Sequence, residues 1–266
     1  MKKLGFFLAT LFLIISALYI FLFHKTDEFV EEDLYSEIIQ RGYIKVGINV
    51  DSKPFGFYDN KGNIVGYDAD LASYIAQYIV KNRNGIKFIP VTPSNRLIKA
   101  STGEVDIVIS TVTITPQRQE IISFSIPYDS AGQALLVKAD SAIKGIQDLA
   151  SSSIGVVFGT TAEKNISRLV PTANIRGYRS YPDAYQALKS GQIHALTSDD
   201  TILNRFALDD KGVKLLPRRY SNEPYGIAFK KSESTVRLKE ELDSAIKDMQ
   251  RKNVITRLRK KWSLGG

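Results

Sequence analysis

Residues 96–111 read RLIKASTGEVDIVIST, and residues 184–199 read AYQALKSGQIHALTSD. Laid on one another at an offset of 88 positions, each gives a helical stretch, a glycine just past it, and a short strand ending in polar residues. Glycine ends helices at such places because it tolerates the left-handed conformation. The match predicts two similar α/β lobes; a chance pairing of two common helix–glycine–strand units is the alternative. Open α/β sheets bind ligands beyond the carboxyl ends of their strands. That rule singles out Ser110, Thr111 and Thr113 in the first unit and Ser198 and Asp199 in the second.

Working outward, residues 43–50 (YIKVGINV) read as a buried strand and residues 55–67 as a hairpin around Asp-Asn-Lys-Gly. Residues 68–82 follow as a helix with Leu71, Ile75, Tyr78 and Ile79 on one face and Asp68 available to cap it. Residues 86–91 give another strand. Alternating strand and helix predicts a largely parallel α/β architecture. Residues 234–264 carry a long amphipathic pattern, with Leu238, Leu242, Ala245, Ile246 and Met249 on the buried face and a break near Asn253. The basic end of that stretch reads as a solvated outer face, with membrane or nucleic-acid contact as the alternative.

The chain has 266 residues, a net charge of +8 and no cysteine. Disulfides, thiolate nucleophiles, thiolate metal sites and a lipidated N-terminal cysteine are therefore excluded. The positive charges are dispersed, which gives nucleic-acid binding little support. At the N-terminus, Lys2 and Lys3 precede an uncharged apolar run from Leu4 to Phe23, about the 20 residues that span a bilayer. No small-x-small cleavage site follows, so residues 1–28 are expected to be an uncleaved signal-anchor, with a cleaved signal peptide as the alternative. Either way the rest of the chain is exported.

Three catalytic signatures are absent: G-x-S-x-G, the Walker A loop and H-E-x-x-H. With only His24 and His194, neither a histidine metal site nor a Ser-His-Asp triad is expected. Of Asp199 and Asp200, one is expected to cap the helix DTILNRF that follows.

What remains is a set of single charges on facing lobes. In residues 110–120, STVTITPQRQE, Thr115 is a good N-cap and Pro116 suits the first helical position. Arg118 then stands in the first turn, where a cation opposes the helix dipole. A bidentate donor there suits a carboxylate, with Thr113 and the helix N-terminus completing a cradle. Asp199 suits an ammonium. Together they describe an α-amino-acid receptor; a surface Arg118 paired with Glu120 is the alternative. A third junction, GTTAEKN (159–165), offers hydroxyls and free N–H groups at a helix start.

These stretches, with residues 44–72, TGEVDIVISTVTITPQRQEIISFSIPY, ALLVKADSAIKGIQDL, EPYGIAF and the closing RKKW, resemble the periplasmic solute-binding proteins of polar amino acid ABC importers over residues 43–264. The resemblance implies a two-lobed Venus-flytrap fold with two hinge crossovers. Lobe 1 would comprise residues 43–131 and 226–266, and lobe 2 residues 132–225, with hinges near Tyr128–Gly132 and Glu223–Gly226. It implies that Arg118 and Thr113 hold the ligand α-carboxylate. Thr111 would meet the ammonium through its backbone and Asp199 through its side chain, with Thr161 adding a contact. Aromatics that such proteins place on the ligand side chain are replaced by Ser52 and Pro93, which argues against a cationic ligand. Arg96 matches an arginine used on side-chain carboxylates, so glutamate or aspartate is expected first and glutamine next. A solvent-facing Arg96 is the alternative. Phe55, Phe57 and Tyr58 are expected in packing.

The function so implied is capture of a free polar amino acid in the periplasm and delivery to an inner-membrane ABC permease. The receptor would be a monomer tethered by its N-terminal helix, without cofactor, metal or nucleic acid. A cyclohexadienyl dehydratase-like enzyme and an amino-acid-sensing receptor domain are the alternatives.

Overall fold

The computed structural model describes residues 33–264 together with Phe12, Ile15 and Ser16. The chain divides into two compact units, Met1–Glu32 and Asp33–Gly266. Apart from those three positions, the expected anchor at residues 1–28 lies outside the described residues. Among the described residues no helix is long and apolar enough to cross a membrane.

The second unit begins with helix α1 (Leu34–Arg41), capped by Asp33, whose carboxylate accepts from the Ser36 N–H at 3.3 Å. Strand β1 (Ile44–Asn49) leads to a small meander of β2 (Asp51–Ser52), β3 (Gly56–Tyr58) and β4 (Ile64–Val65). Then come α2 (Tyr67–Ile79), β5 (Ile86–Val91), α3 (Arg96–Ser101), β6 (Ile107–Val108), α4 (Pro116–Gln119) and β7 (Ile122–Phe124). The chain crosses over on β8 (Asp129–Ala131). It builds a second layer from β9 (Gln133–Lys138), β10 (Ser153–Val157), α5 (Thr161–Leu169), β11 (Asn174–Tyr178), α6 (Tyr181–Lys189), β12 (Ala195–Asp199), α7 (Asp200–Asp209) and β13 (Val213–Leu215). It returns on β14 (Glu223–Tyr225) and ends with β15 (Ala228–Lys230), α8 (Val236–Arg251) and α9 (Val254–Lys261).

Two five-stranded sheets result, ordered β5-β1-β6-β15-β7 and β11-β10-β12-β9-β13. In each sheet four strands run the same way and one, β15 or β9, runs against them. The internal repeat is real: α3 and α6 lead through Gly103 (φ 74°) and Gly191 (φ 79°) into the third strand of each sheet, β6 and β12. Strands β10 and β12 are buried end to end, as strands covered on both faces should be. The crossovers β8 and β14 pair antiparallel, Tyr225 opposite Asp129 and Glu223 opposite Ala131.

Helix α8 buries Leu238, Leu242, Ala245, Ile246 and Met249, the face its spacing predicts, and packs on α2. The break falls at Asn253, whose φ of 54° cannot continue a helix. Phe55 is fully buried and Phe57 meets Trp262 edge-on at 5.8 Å, while Tyr58 is exposed.

Two expected caps are corrected. Helix α2 is preceded by Gly66, not capped by Asp68. The chain there needs φ of 134°, and a Cβ would stand 2.1 Å from the Phe55 carbonyl oxygen, so only glycine fits. Asp68 instead lies buried in the first turn and accepts from the Tyr128 hydroxyl at 3.3 Å. Neither does Asp199 nor Asp200 cap α7 with its side chain. Asp200 is drawn to the Gly132 N–H (3.0 Å) and the Arg219 Nε (2.6 Å), leaving Asp199 to face inward.

Candidate functional site

Helix α4 forms as its sequence predicts: Thr115 Oγ1 accepts from the Arg118 N–H at 3.2 Å and Pro116 occupies the first helical position. This one turn aims Arg118 inward. Its Nη1 donates to the Thr113 carbonyl at 2.9 Å, and its Nη2 reaches the Gly159 carbonyl of the second layer at 3.0 Å. A pairing with Glu120 is not seen. Burial and the neighbouring Arg96 guanidinium push the Arg118 pKa down to about 10, opposed by Asp199 and Glu223. At working pH it stays a cation whose two partners, both carbonyls, are neutral acceptors.

Arg96 is 2% exposed, so the solvent-facing alternative is excluded. Its Nη1 donates to the carbonyls of Ser110 and, at 3.4 Å, Thr111, the end of the β6 strand segment. Its Nε is buried without a partner. Thr111 has φ of 47°, a strained value for a β-branched residue, at the point where the chain leaves the sheet.

Asp199 ends β12, buried, with Oδ2 accepting from the Tyr225 hydroxyl at 2.5 Å. Burial pushes its pKa up to about 7, while the Tyr225 hydrogen bond pulls it down. Thr161 opens α5, but its hydroxyl donates to Glu223 Oε2 at 2.7 Å. Gly159 and Pro93 meet across the layers: a Cβ on Gly159 would stand 2.3 Å from the Pro93 carbonyl oxygen. Thr115, Gln117, Arg118, Thr160, Thr161 and Lys164 help line a cavity of about 420 Å³ at this junction.

All six residues singled out from sequence therefore gather around one cleft. Arg118, Arg96 and Asp199 act on one another electrostatically, and Thr113, Thr111 and Thr161 join through the contacts above. Four more were missed as participants. Asp51 lies in the field of Arg96 and Tyr181 in that of Asp199 and Arg96, while Glu223 and Tyr225 hold Thr161 and Asp199 directly. Residues 223 and 225 of a short strand point the same way, but three residues are too few for that alternation to be read from sequence. Among the described residues no cluster of His, Cys, Asp or Glu is arranged to hold a metal.

Two like-ordered α/β sheets joined by a pair of crossing strands define the two-lobed periplasmic-binding-protein class of fold. The chain belongs to the bacterial extracellular solute-binding proteins, family 3, which it matches over residues 44–265. It is 35% identical over 234 residues to the ABC transporter glutamine-binding protein of Bacillus subtilis (strain 168), covering 87% of this chain and 85% of that protein. It is 36% identical over 197 residues to the glutamine-binding protein of Geobacillus stearothermophilus, covering 73% and 75%. Among solved structures, an ancestral amino acid-binding protein described as a precursor of cyclohexadienyl dehydratase superposes with a TM-score of 0.80 at 33% identity, over 86% of this chain and 99% of that one. All three are binding proteins, and that of Bacillus subtilis belongs to an ABC transporter.

Proposed function

We propose that this chain captures a free polar L-amino acid outside the cytoplasm and presents it to an ABC importer. The observation that carries the reading is the opposition of Arg118 on one lobe to buried Asp199 on the other. Arg118, with Thr113, receives the α-carboxylate. Asp199 and the Thr111 backbone receive the ammonium, and Thr161 adds a contact from the start of α5. Lobe 1 is residues 43–131 with 226–266, lobe 2 is residues 132–225, and β8 and β14 are the hinge. Closure excludes water and strengthens each charged hydrogen bond.

For the side chain, the local charges decide. Arg96 and Arg118 face Asp51, Asp199 and Glu223. A site with that acidic balance favours a ligand of no net charge, which puts L-glutamine ahead of L-glutamate and L-aspartate. The two relatives named for glutamine support that order. One observation favours the acidic ligands: the unpartnered Nε of Arg96, a donor a side-chain carboxylate would satisfy.

Lys2, Lys3 and the apolar run from Leu4 to Phe23 support a tether to the outer face of the cytoplasmic membrane. Alkaline extraction of membranes tests it, release into the soluble fraction counting against it. The receptor reading is tested by calorimetry of the full chain in detergent against all proteinogenic amino acids. Tight binding of L-glutamine or L-glutamate is expected, and no binding by any amino acid would overturn it.

A further inference from the structure

Strand β14 does more than cross between lobes. Its backbone is pinned to the lobe 1 part of the site. Tyr225 forms an antiparallel bridge with Thr113, the Ile114 N–H donates to the Pro224 carbonyl at 2.8 Å, and the Gly226 N–H donates to the Val112 carbonyl at 3.0 Å. Its two inward side chains reach the lobe 2 part. Glu223 is 2% exposed and accepts from Thr161 Oγ1 (2.7 Å), Ser221 Oγ (2.5 Å) and Asn165 Nδ2 (3.2 Å). Three donors thus converge on the one carboxyl group. Tyr225 is fully buried, set edge-on to Phe55 with ring centres 6.0 Å apart and tilted against Tyr128 at 6.2 Å. Those rings fix its hydroxyl on Asp199 Oδ2, which leaves Oδ1 for a second donor.

We propose that Glu223 and Tyr225 are positioning residues of the ligand site, Tyr225 keeping Asp199 oriented and ionised for an ammonium and Glu223 fixing Thr161 at the start of α5. The proposal rests on the site reading above. Neither residue touches the ligand; both act from the hinge, so hinge rotation and site geometry are one motion. A hydroxyl donating to a carboxylate favours its charged form. The other groups acting on Asp199 and its neighbours are Glu223, Arg96, Asp200, Arg118 and Tyr181. Asp200 is held outward on Arg219, and Arg96 is tied to backbone carbonyls, which leaves Tyr225 as the donor in direct contact.

The test uses Tyr225→Phe, which keeps the ring and removes only the hydroxyl. Carboxyl ¹³C NMR of the ligand-free full chain follows Asp199, assigned with Asp199→Asn. Its titration midpoint should rise by about one pH unit in Tyr225→Phe. Calorimetry with L-glutamine should then show roughly tenfold weaker binding near pH 6, recovering at high pH as Asp199 ionises. A merely structural tyrosine would lower the melting temperature without moving either pH profile, and that outcome overturns the proposal. Glu223→Gln provides the second arm. It should weaken L-glutamine binding at high pH, where Asp199 is ionised in either protein. The midpoint of Asp199 should move down as the neighbouring Glu223 charge is lost, opposite to its shift in Tyr225→Phe. Unchanged affinity at high pH removes Glu223 from the scheme. Full L-glutamine affinity in Asp199→Asn itself would instead sink the site reading, a result distinct from an unmoved Asp199 titration in Tyr225→Phe.

Discussion

Arg118 holds the Gly159 carbonyl across the cleft at 3.0 Å, so the residue proposed to receive the ligand carboxylate is also a tie between the lobes. A carbonyl is a neutral acceptor, and a carboxylate makes the stronger, charge-assisted bond. Arriving ligand therefore exchanges weak partners for a strong one without leaving the guanidinium bare. Arg118→Lys keeps the charge but loses the fork. We expect L-glutamine affinity to fall at least about tenfold in Arg118→Lys and by about 2–5 kcal/mol in Arg118→Ala, measured by calorimetry. Retained affinity in both would remove Arg118 from the site.

Gly159 offers a test of closure that leaves the charged groups alone. Its φ of 80° strains any other residue, and an added Cβ would meet Pro93 backbone atoms at 2.3 and 2.6 Å. Pro93 belongs to the other lobe, so the bulk is felt only when the lobes approach. Gly159→Ala should melt within a few degrees of the parent yet bind L-glutamine much more weakly. Small-angle scattering with saturating ligand should show less compaction than in the parent. Equal compaction would mean the closed contact is not required.

How far the sequence revealed this arrangement depends on the kind of signal. The repeat was legible because helix, glycine and strand are local properties with fixed spacing, and Gly103 and Gly191 both proved left-handed. Helix α4 was legible for the same reason, its cap and proline being neighbours. The roles of Asp68 and Asp200 were not. A local rule offers each acid a helix start, while Tyr128 and Arg219, distant in sequence, offer better partners. Glu223 and Tyr225 stayed hidden because EPY is three residues long, too short for periodicity to show. Their partners Thr161 and Asp199 are met only once the two crossing strands pair.

Arg96 separates the two ligand orders. Removing its guanidinium frees the carbonyls of Ser110 and Thr111 in a buried place, so Arg96→Gln should lower stability by about 1–3 kcal/mol. If the unpartnered Nε serves a ligand side-chain carboxylate, L-glutamate binding should fall further than L-glutamine binding. A common loss for both would mean that Arg96 supports the strand end and does not read the side chain. Competition calorimetry on the variant and the parent supplies the comparison.

Asp199 ties ligand binding to pH in a direction that can be fixed. Burial raises its folded pKa to about 7, whereas an unfolded aspartate ionises near 3.9. Between those values the folded protein keeps a proton that the unfolded chain has released. Stability contributed by this group therefore falls as pH rises from about 4 to about 7 and stays low above it. Asp199→Asn removes the ionisation, so the variant should melt above the parent at pH 8, by about 2–4 °C for each kcal/mol recovered, with the gap closing toward pH 5. Binding runs the other way. An ammonium favours the ionised carboxylate, so L-glutamine should bind more tightly as pH rises through 7. Near pH 6 binding should release a fraction of a proton, read from calorimetry in buffers of different ionisation heat. A variant that melts below the parent at pH 8, or binding that releases no proton near pH 6, would show that Asp199 in the empty cleft ionises well below pH 7.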